Sequence, residues 1–260
     1  MDQELLYGIN NINSLLTTNS GKRKIYEIIV NKNRKNSPRA KEIINKADKR
    51  NIIVKELDSK NFLSFIKDKF TEEEIATTQG VLAKVSSYNF YNLEQILEAY
   101  SDKKRLFVVL DEITDIGNFA SILRNCSAFG VDGVIISKNR SVDINRRVSK
   151  ISAGALEEIK IFRVVNIVKA IENLKEKGFW IYGTTLKIGS SVKLADEIEY
   201  PLPLAIVIGS EGKGIGRLVA KSCDFMVRIN MTGNMQSLNV STAVGIMLYV
   251  IKNFQMKKVT

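Results

Sequence analysis

The chain has 260 residues, 45% hydrophobic and 26% charged, with 16 glycines and 3 prolines, which excludes a disordered, collagenous or disulfide-stapled protein. Lysine and arginine outnumber aspartate and glutamate 39 to 28, and the formal net charge of +11 biases the partner toward nucleic acid or another anionic surface. There is no histidine, so a Ser-His-Asp or Cys-His triad, a histidine base and a histidine zinc site are all excluded, and the distant Cys126 and Cys223 make a thiolate metal site improbable.

Unpaired cysteines, an acidic start (Met1-Asp2-Gln3-Glu4) without a leader pattern, and no apolar run near the ~20 residues of a membrane span predict a cytoplasmic protein with no membrane role and no metal. Along the first part of the chain the patterning predicts a helix over 9–16, a strand over 25–30, a helix over 38–49, a strand over 52–54, a helix over 59–65 and a strand over 80–85. This is a small α/β domain over 1–86. It carries eleven Lys or Arg against three acids (Glu27, Glu42, Asp48) between residues 22 and 50, either a solvated face or a phosphate-tracking surface that includes Lys32, Arg34 and Lys35. A linker follows over 87–105, with a helix over 92–100 and a charged approach at 101–105.

From 106 to 260 the pattern is more regular. Near-continuous apolar strands over 106–110, 134–137, 159–164, 180–185, 205–210 and 225–229 alternate with amphipathic segments over 118–129, 144–156, 168–177 and 214–221. A long apolar helix ends the series near Lys252. Such a pattern predicts a mostly parallel sheet covered by helices on both faces.

Three stretches begin at carboxyl ends of these strands, where open α/β sheets place their ligands. The first, from Leu110 to Asn118, leads into a helix whose Phe119, Ile122, Leu123 and Cys126 form the buried stripe. Arg124 lies off that stripe, as an exposed helix arginine or as a cation able to bind phosphate or polarise a hydroxyl. The second is Gly209-Ser210-Glu211-Gly212-Lys213-Gly214-Ile215-Gly216, matching neither GxxxxGK[ST] nor GxGxxG. Glu211 there is either a cap for the next helix or a functional group. The third runs from Ile229 through Ser237-Leu238-Asn239-Val240-Ser241. Ser237 and Asn239 suit helix initiation, yet Asn239 and Ser241 falling inside the first turns points to a ligand-facing role.

Taken together, Asn118 through Arg124 to Gly130, Gly209-Ser210-Glu211-Gly212, and Ser237 to Ser241 resemble the three motifs of the SpoU (TrmH-like) RNA ribose 2′-O-methyltransferases. Tyr7-Gly8-Ile9-Asn10 and Gln79-Gly80-Val81 resemble the start and end of the small substrate-binding domain of the ribosomal-RNA branch, so the whole chain is covered. The resemblance implies a trefoil-knotted catalytic domain, a homodimer with an active site completed across subunits, and S-adenosylmethionine as methyl donor. It implies that Thr184, Ile208, Gly209, Ile229, Met231 and Leu238 hold that donor. Arg124 would activate the 2′-hydroxyl, Asn118 and Glu211 order the loops and the arginine, and Ser237 and Asn239 position Arg124 and the ribose.

The chain departs from the family pattern at Ile116-Gly117, where relatives often carry Pro-His or Pro-x, at Gln236, and at Thr78 in place of a histidine. None of these is a catalytic side chain. The implied substrate is structured RNA, a guanosine of 23S ribosomal RNA before transfer RNA. A non-catalytic RNA-binding protein on the same scaffold is the first rival. A dinucleotide-dependent oxidoreductase using the 209–216 turn is the second, opposed by the glycine spacing.

Overall fold

The computed structural model describes residues 3–99 and 105–257; Met1, Asp2, the helix end at Tyr100 and the charged approach at 101–104 lie outside the described residues. In chain order the elements are β1 (Gln3–Tyr7), α1 (Ile9–Thr17), β2 (Ile25–Asn31), α2 (Pro38–Asp48), β3 (Ile53–Leu57), α3 (Ser59–Lys67), α4 (Glu72–Ala76), β4 (Val81–Ser86), α5 (Leu93–Ala99), β5 (Leu106–Asp111) and α6 (Ile116–Ala128). They continue with β6 (Gly133–Ser137), α7 (Arg146–Ile151), α8 (Ala155–Glu158), β7 (Lys160–Val164), α9 (Ile167–Glu176), β8 (Trp180–Thr184), β9 (Val192–Leu194), β10 (Leu204–Gly209), α10 (Arg217–Ser222), β11 (Phe225–Arg228) and α11 (Val240–Lys257). Contacts sort them into two compact units, Met1–Asn89 with Ile144–Glu158, and Phe90–Asp143 with Ile159–Thr260.

The first unit is built on a four-stranded sheet ordered β1-β4-β2-β3, with β4 antiparallel to both neighbours and β2 parallel to β3. Leu6, Ile28, Val30, Val81, Ala83 and Val85 from the strands pack against Ile12, Leu15 and Ile43 from α1 and α2. The two motif ends meet: Gln79 Oε1 accepts the Ile9 amide at 2.9 Å, satisfying an N–H that the start of α1 leaves open.

The segment predicted as one amphipathic helix over 144–156, within the second domain, differs in both respects. Ala153 and Gly154 take positive φ (53° and 102°) and break it into α7 and α8. Its partners belong to the first unit. Glu157 makes a fully buried ion pair with Arg23 at 3.2 Å, and Arg146 grips Glu74 with two bonds of 3.1 Å. Gly154 lies so close to Ser14 that a Cβ has no space there.

The second unit holds a seven-stranded sheet, ordered β7-β6-β5-β10-β8-β11-β9, in which every neighbouring pair is parallel. Its central strands β5 and β10 are buried along their whole length. That double burial is why both read as unbroken apolar runs in the sequence. The chain steps outward from β5 to β6 and β7, then crosses to the far side, so β5 and β10 flank the switch point where such sheets open a crevice.

Candidate active site

Strands β5 and β10 end level, Asp111 opposite Gly209, so the loops that follow them start side by side. The first enters α6 through Asp115, whose Oδ1 accepts the Asn118 amide at 2.7 Å; the helix therefore begins at Ile116, two residues before the predicted start. The second loop folds back on its own strand. Gly214 donates to the Ser210 carbonyl at 2.9 Å, and a Cβ on Gly209 would fall into the backbone of Gly214 and Ile215. Only glycine permits that approach. Gly216 N donates to Asp111 Oδ2 at 2.8 Å, and burial pushes this carboxyl above its ordinary range while the amide opposes the shift.

Glu211 is the fastening point. Its Oε1 accepts from Asn239 Nδ2 at 2.9 Å, from the Val240 amide at 3.1 Å and from Asn118 Nδ2 at 3.4 Å. Asn239 Nδ2 also donates to Asn118 Oδ1 at 2.8 Å, so one cluster ties together all three loops. Glu211 does not cap the helix that follows it. Gly216 is the N-cap of α10, and the Glu211 carboxylate instead caps the start of α11. Asn239 is not inside a helix: α11 starts at Val240, and Asn239 Oδ1 accepts from the Ser241 and Thr242 amides at 2.9 and 3.4 Å. Its carbonyl caps α11 while its amide joins the cluster, so one side chain both starts the helix and ties the loops.

A cavity of about 420 Å³ opens beside the cluster, within the usual size range of small-molecule sites. Thr184, Ile208, Gly209, Ile229, Met231 and Leu238 all line it, together with Glu211, Ser237 and Asn239. Leu186, Val240 and Ala243 add apolar wall that the sequence reading missed; the last two face inward from the first turn of α11. Among the described residues, no lysine or arginine lines this cavity, so it is poorly suited to a pyrophosphate.

Arg124 stands elsewhere. The stripe Phe119, Ile122, Leu123 and Cys126 is buried, Arg124 is exposed, and it lines a separate groove between α6 and α11 with Ser121, Asn125 and Thr242. No described hydrogen bond joins it, or Ser237, to the cluster. Asn125, which the sequence reading passed over, donates from Nδ2 to the Ser241 carbonyl at 2.7 Å and so binds α6 to the start of α11. Burial pushes the Cys223 thiol up to about 12 and raises Cys126 as well, so neither is a thiolate nucleophile at neutral pH.

Lys32, Arg34 and Lys35 form a turn after β2 in the first unit. Lys32 and Arg34 are exposed, whereas Lys35 Nζ is paired with Glu56 at 2.9 Å. The Arg34 stem lies against Gly80, where a Cβ would meet its Cγ at 2.8 Å.

Residues 105–249 match the model of the SpoU rRNA Methylase family, and residues 5–91 match that of the RNA 2′-O ribose methyltransferase substrate-binding domain. The chain is 34% identical to a Bacillus subtilis (strain 168) protein assigned to the TrmH family of tRNA/rRNA methyltransferases, over 92% of each chain. It is 40% identical to a protein of the same assignment from Staphylococcus aureus (strain COL), over 81% of each. In fold it is similar to the SpoU methyltransferase AviRb from Streptomyces viridochromogenes, solved in complex with AdoMet. That match has a TM-score of 0.75 and 20% identity, covering 98% of this chain and 91% of the other.

Proposed function

The chain belongs to the SpoU rRNA methylase family and is an RNA methyltransferase of the SpoU/TrmH kind; from that premise we propose that it methylates a ribose 2′-hydroxyl of structured RNA, a guanosine of 23S ribosomal RNA before any other. The observation that carries this reading is the Asn118–Glu211–Asn239 cluster, which holds three loops around a cavity that no lysine or arginine among the described residues lines.

S-adenosylmethionine fits that cavity. The donor carries no phosphate, its adenosine suits walls of Ile208, Ile229, Met231 and Leu238, and the tight loop at Gly209 exposes backbone to its polar groups. When bound, it supplies a methyl group already activated on a sulfonium. The chain's own residues hold the loops, align the ribose and make its oxygen more nucleophilic. A guanidinium offers five N–H donors in a planar fork and no acceptor, so Arg124 acts as a clamp, not as a base. From its groove between α6 and α11 it grips the phosphate next to the target ribose and lowers the hydroxyl's proton affinity, and the proton passes over that phosphate to water. Ser237 and Asn239 orient the ribose.

The small domain matched over 5–91 supports ribose chemistry on RNA, and the family model matched over 105–249, that of rRNA methylases, supports ribosomal RNA. On this reading the working form is a cytoplasmic homodimer. Transfer RNA is the second reading, because relatives are assigned to both substrates. Labelling transcripts of 23S ribosomal RNA and tRNA with methyl-tritiated donor, followed by nucleoside analysis, is expected to yield 2′-O-methylguanosine from the 23S transcript. Label in tRNA alone would install the second reading, and label on a base would overturn ribose chemistry. Calorimetry showing no donor binding would leave the non-catalytic alternative.

Lys32→Ala with Arg34→Ala is expected to weaken RNA binding and make the salt slope shallower by about 1 to 2, at ~0.7–0.9 for each phosphate no longer neutralised. Lys35→Ala should do less, since Glu56 already offsets that charge. Unchanged slopes in filter-binding titrations would mean the turn is only solvated.

A further inference from the structure

A second crevice, of about 450 Å³, lies at the carboxyl ends of β5, β6 and β7, where Gly214 is part of its wall and of the first cavity's wall. The loop from Gly209 to Gly216 therefore separates two adjoining spaces. Arg140, Lys213 and Arg217 line the second one, facing Glu112 and the buried Asp111. Asp111 is committed to the Gly216 amide, and Glu112 to Arg140 at 2.6 Å. Arg217 is exposed and has no ion pair among the described residues. Val165 and Leu218, exposed by 80% and 68%, line the same crevice.

Single exposed aliphatic side chains are ordinary, but two of them beside Lys213, Arg217 and an Arg140 whose charge Glu112 partly offsets form a surface with both elements a nucleotide needs. We propose that this crevice is a second RNA-contact site that holds a nucleotide flanking the methylated one. Its phosphate lies on Arg140, Lys213 and Arg217, and its sugar or base lies against Val165 and Leu218. The proposal rests on the RNA methyltransferase reading. It adds that the strand crosses the glycine loop, so RNA bound here bears on the loop that carries Glu211.

The test uses whichever RNA, 23S transcript or tRNA, the wild-type protein methylates, so failure of that premise shows first and separately. Wild-type protein is irradiated with the same RNA carrying 4-thiouridine, and crosslinked peptides are mapped by mass spectrometry. Crosslinks are expected within residues 139–140, 165–168 or 213–218. In parallel, Arg140→Ala with Arg217→Ala is expected to raise the KM for RNA about tenfold or more, with donor affinity and melting temperature unchanged. Wild-type protein that methylates the RNA without crosslinks to these segments overturns the proposal, as does a KM at the wild-type value in the folded double variant.

Discussion

Arg124→Ala is expected to lower turnover on the order of 10²–10³-fold while leaving the methyl donor bound, the scale of removing one charge-stabilising group from a reacting centre. The geometry separates the two effects. Arg124 is exposed on α6, outside the buried stripe, so truncation leaves the core packing intact. It does not line the cavity bounded by Thr184, Gly209 and Leu238, so the donor's affinity should hold. Arg124→Lys keeps the charge but loses the planar fork, and should recover only part of the rate. Single-turnover kinetics on RNA, with calorimetry of the donor alone, check both halves. An Ala variant with wild-type turnover would strip Arg124 of its role, and one that has lost the donor would mean the groove and the cavity are not independent.

The central strands of the second unit are legible because they are buried on both faces, which leaves little room for polar residues: the runs over 106–110 and 205–210 match β5 and β10 within one residue. β1 escapes the pattern because only its last two residues, Leu6 and Tyr7, are buried, and β9 because it has just three residues. Amphipathicity over 144–156 identified a buried face but not what covers it; Arg23 and Glu74, the partners that decide, lie more than seventy residues away. The same limit governs the site. A cap for α10 was the only local partner on offer for Glu211, whereas its actual partners are Asn118, Asn239 and Val240. Lys35 read like its neighbours because Glu56 sits on the adjoining strand. That the three loops share the ligand end of one sheet was legible from the strand ends, but which side chains meet there was not, since no spacing rule places residue 118 beside 239.

The cluster itself gives the second large effect. Glu211→Ala removes the oxygen that accepts from Asn239, Val240 and Asn118, leaving the first N–H of α11 and an asparagine amide without their acceptor. Because these loops line the donor cavity, the loss should fall on donor affinity as well as on rate, by about tenfold to a hundredfold, the range of one or two charge-assisted hydrogen bonds. This differs from Arg124→Ala, which spares the donor. Glu211→Gln retains an oxygen in the same place and should bind the donor between wild type and Ala. Asn239→Ala should repeat the defect without adding to it: removing either partner breaks the same fastening, so the double variant should fall well short of the product of the singles. Isothermal titrations of the donor across this cycle, with thermal melts to confirm folding, measure the coupling. Independent, multiplying effects would show that Glu211 and Asn239 act separately and that something other than their hydrogen bond holds the loops together.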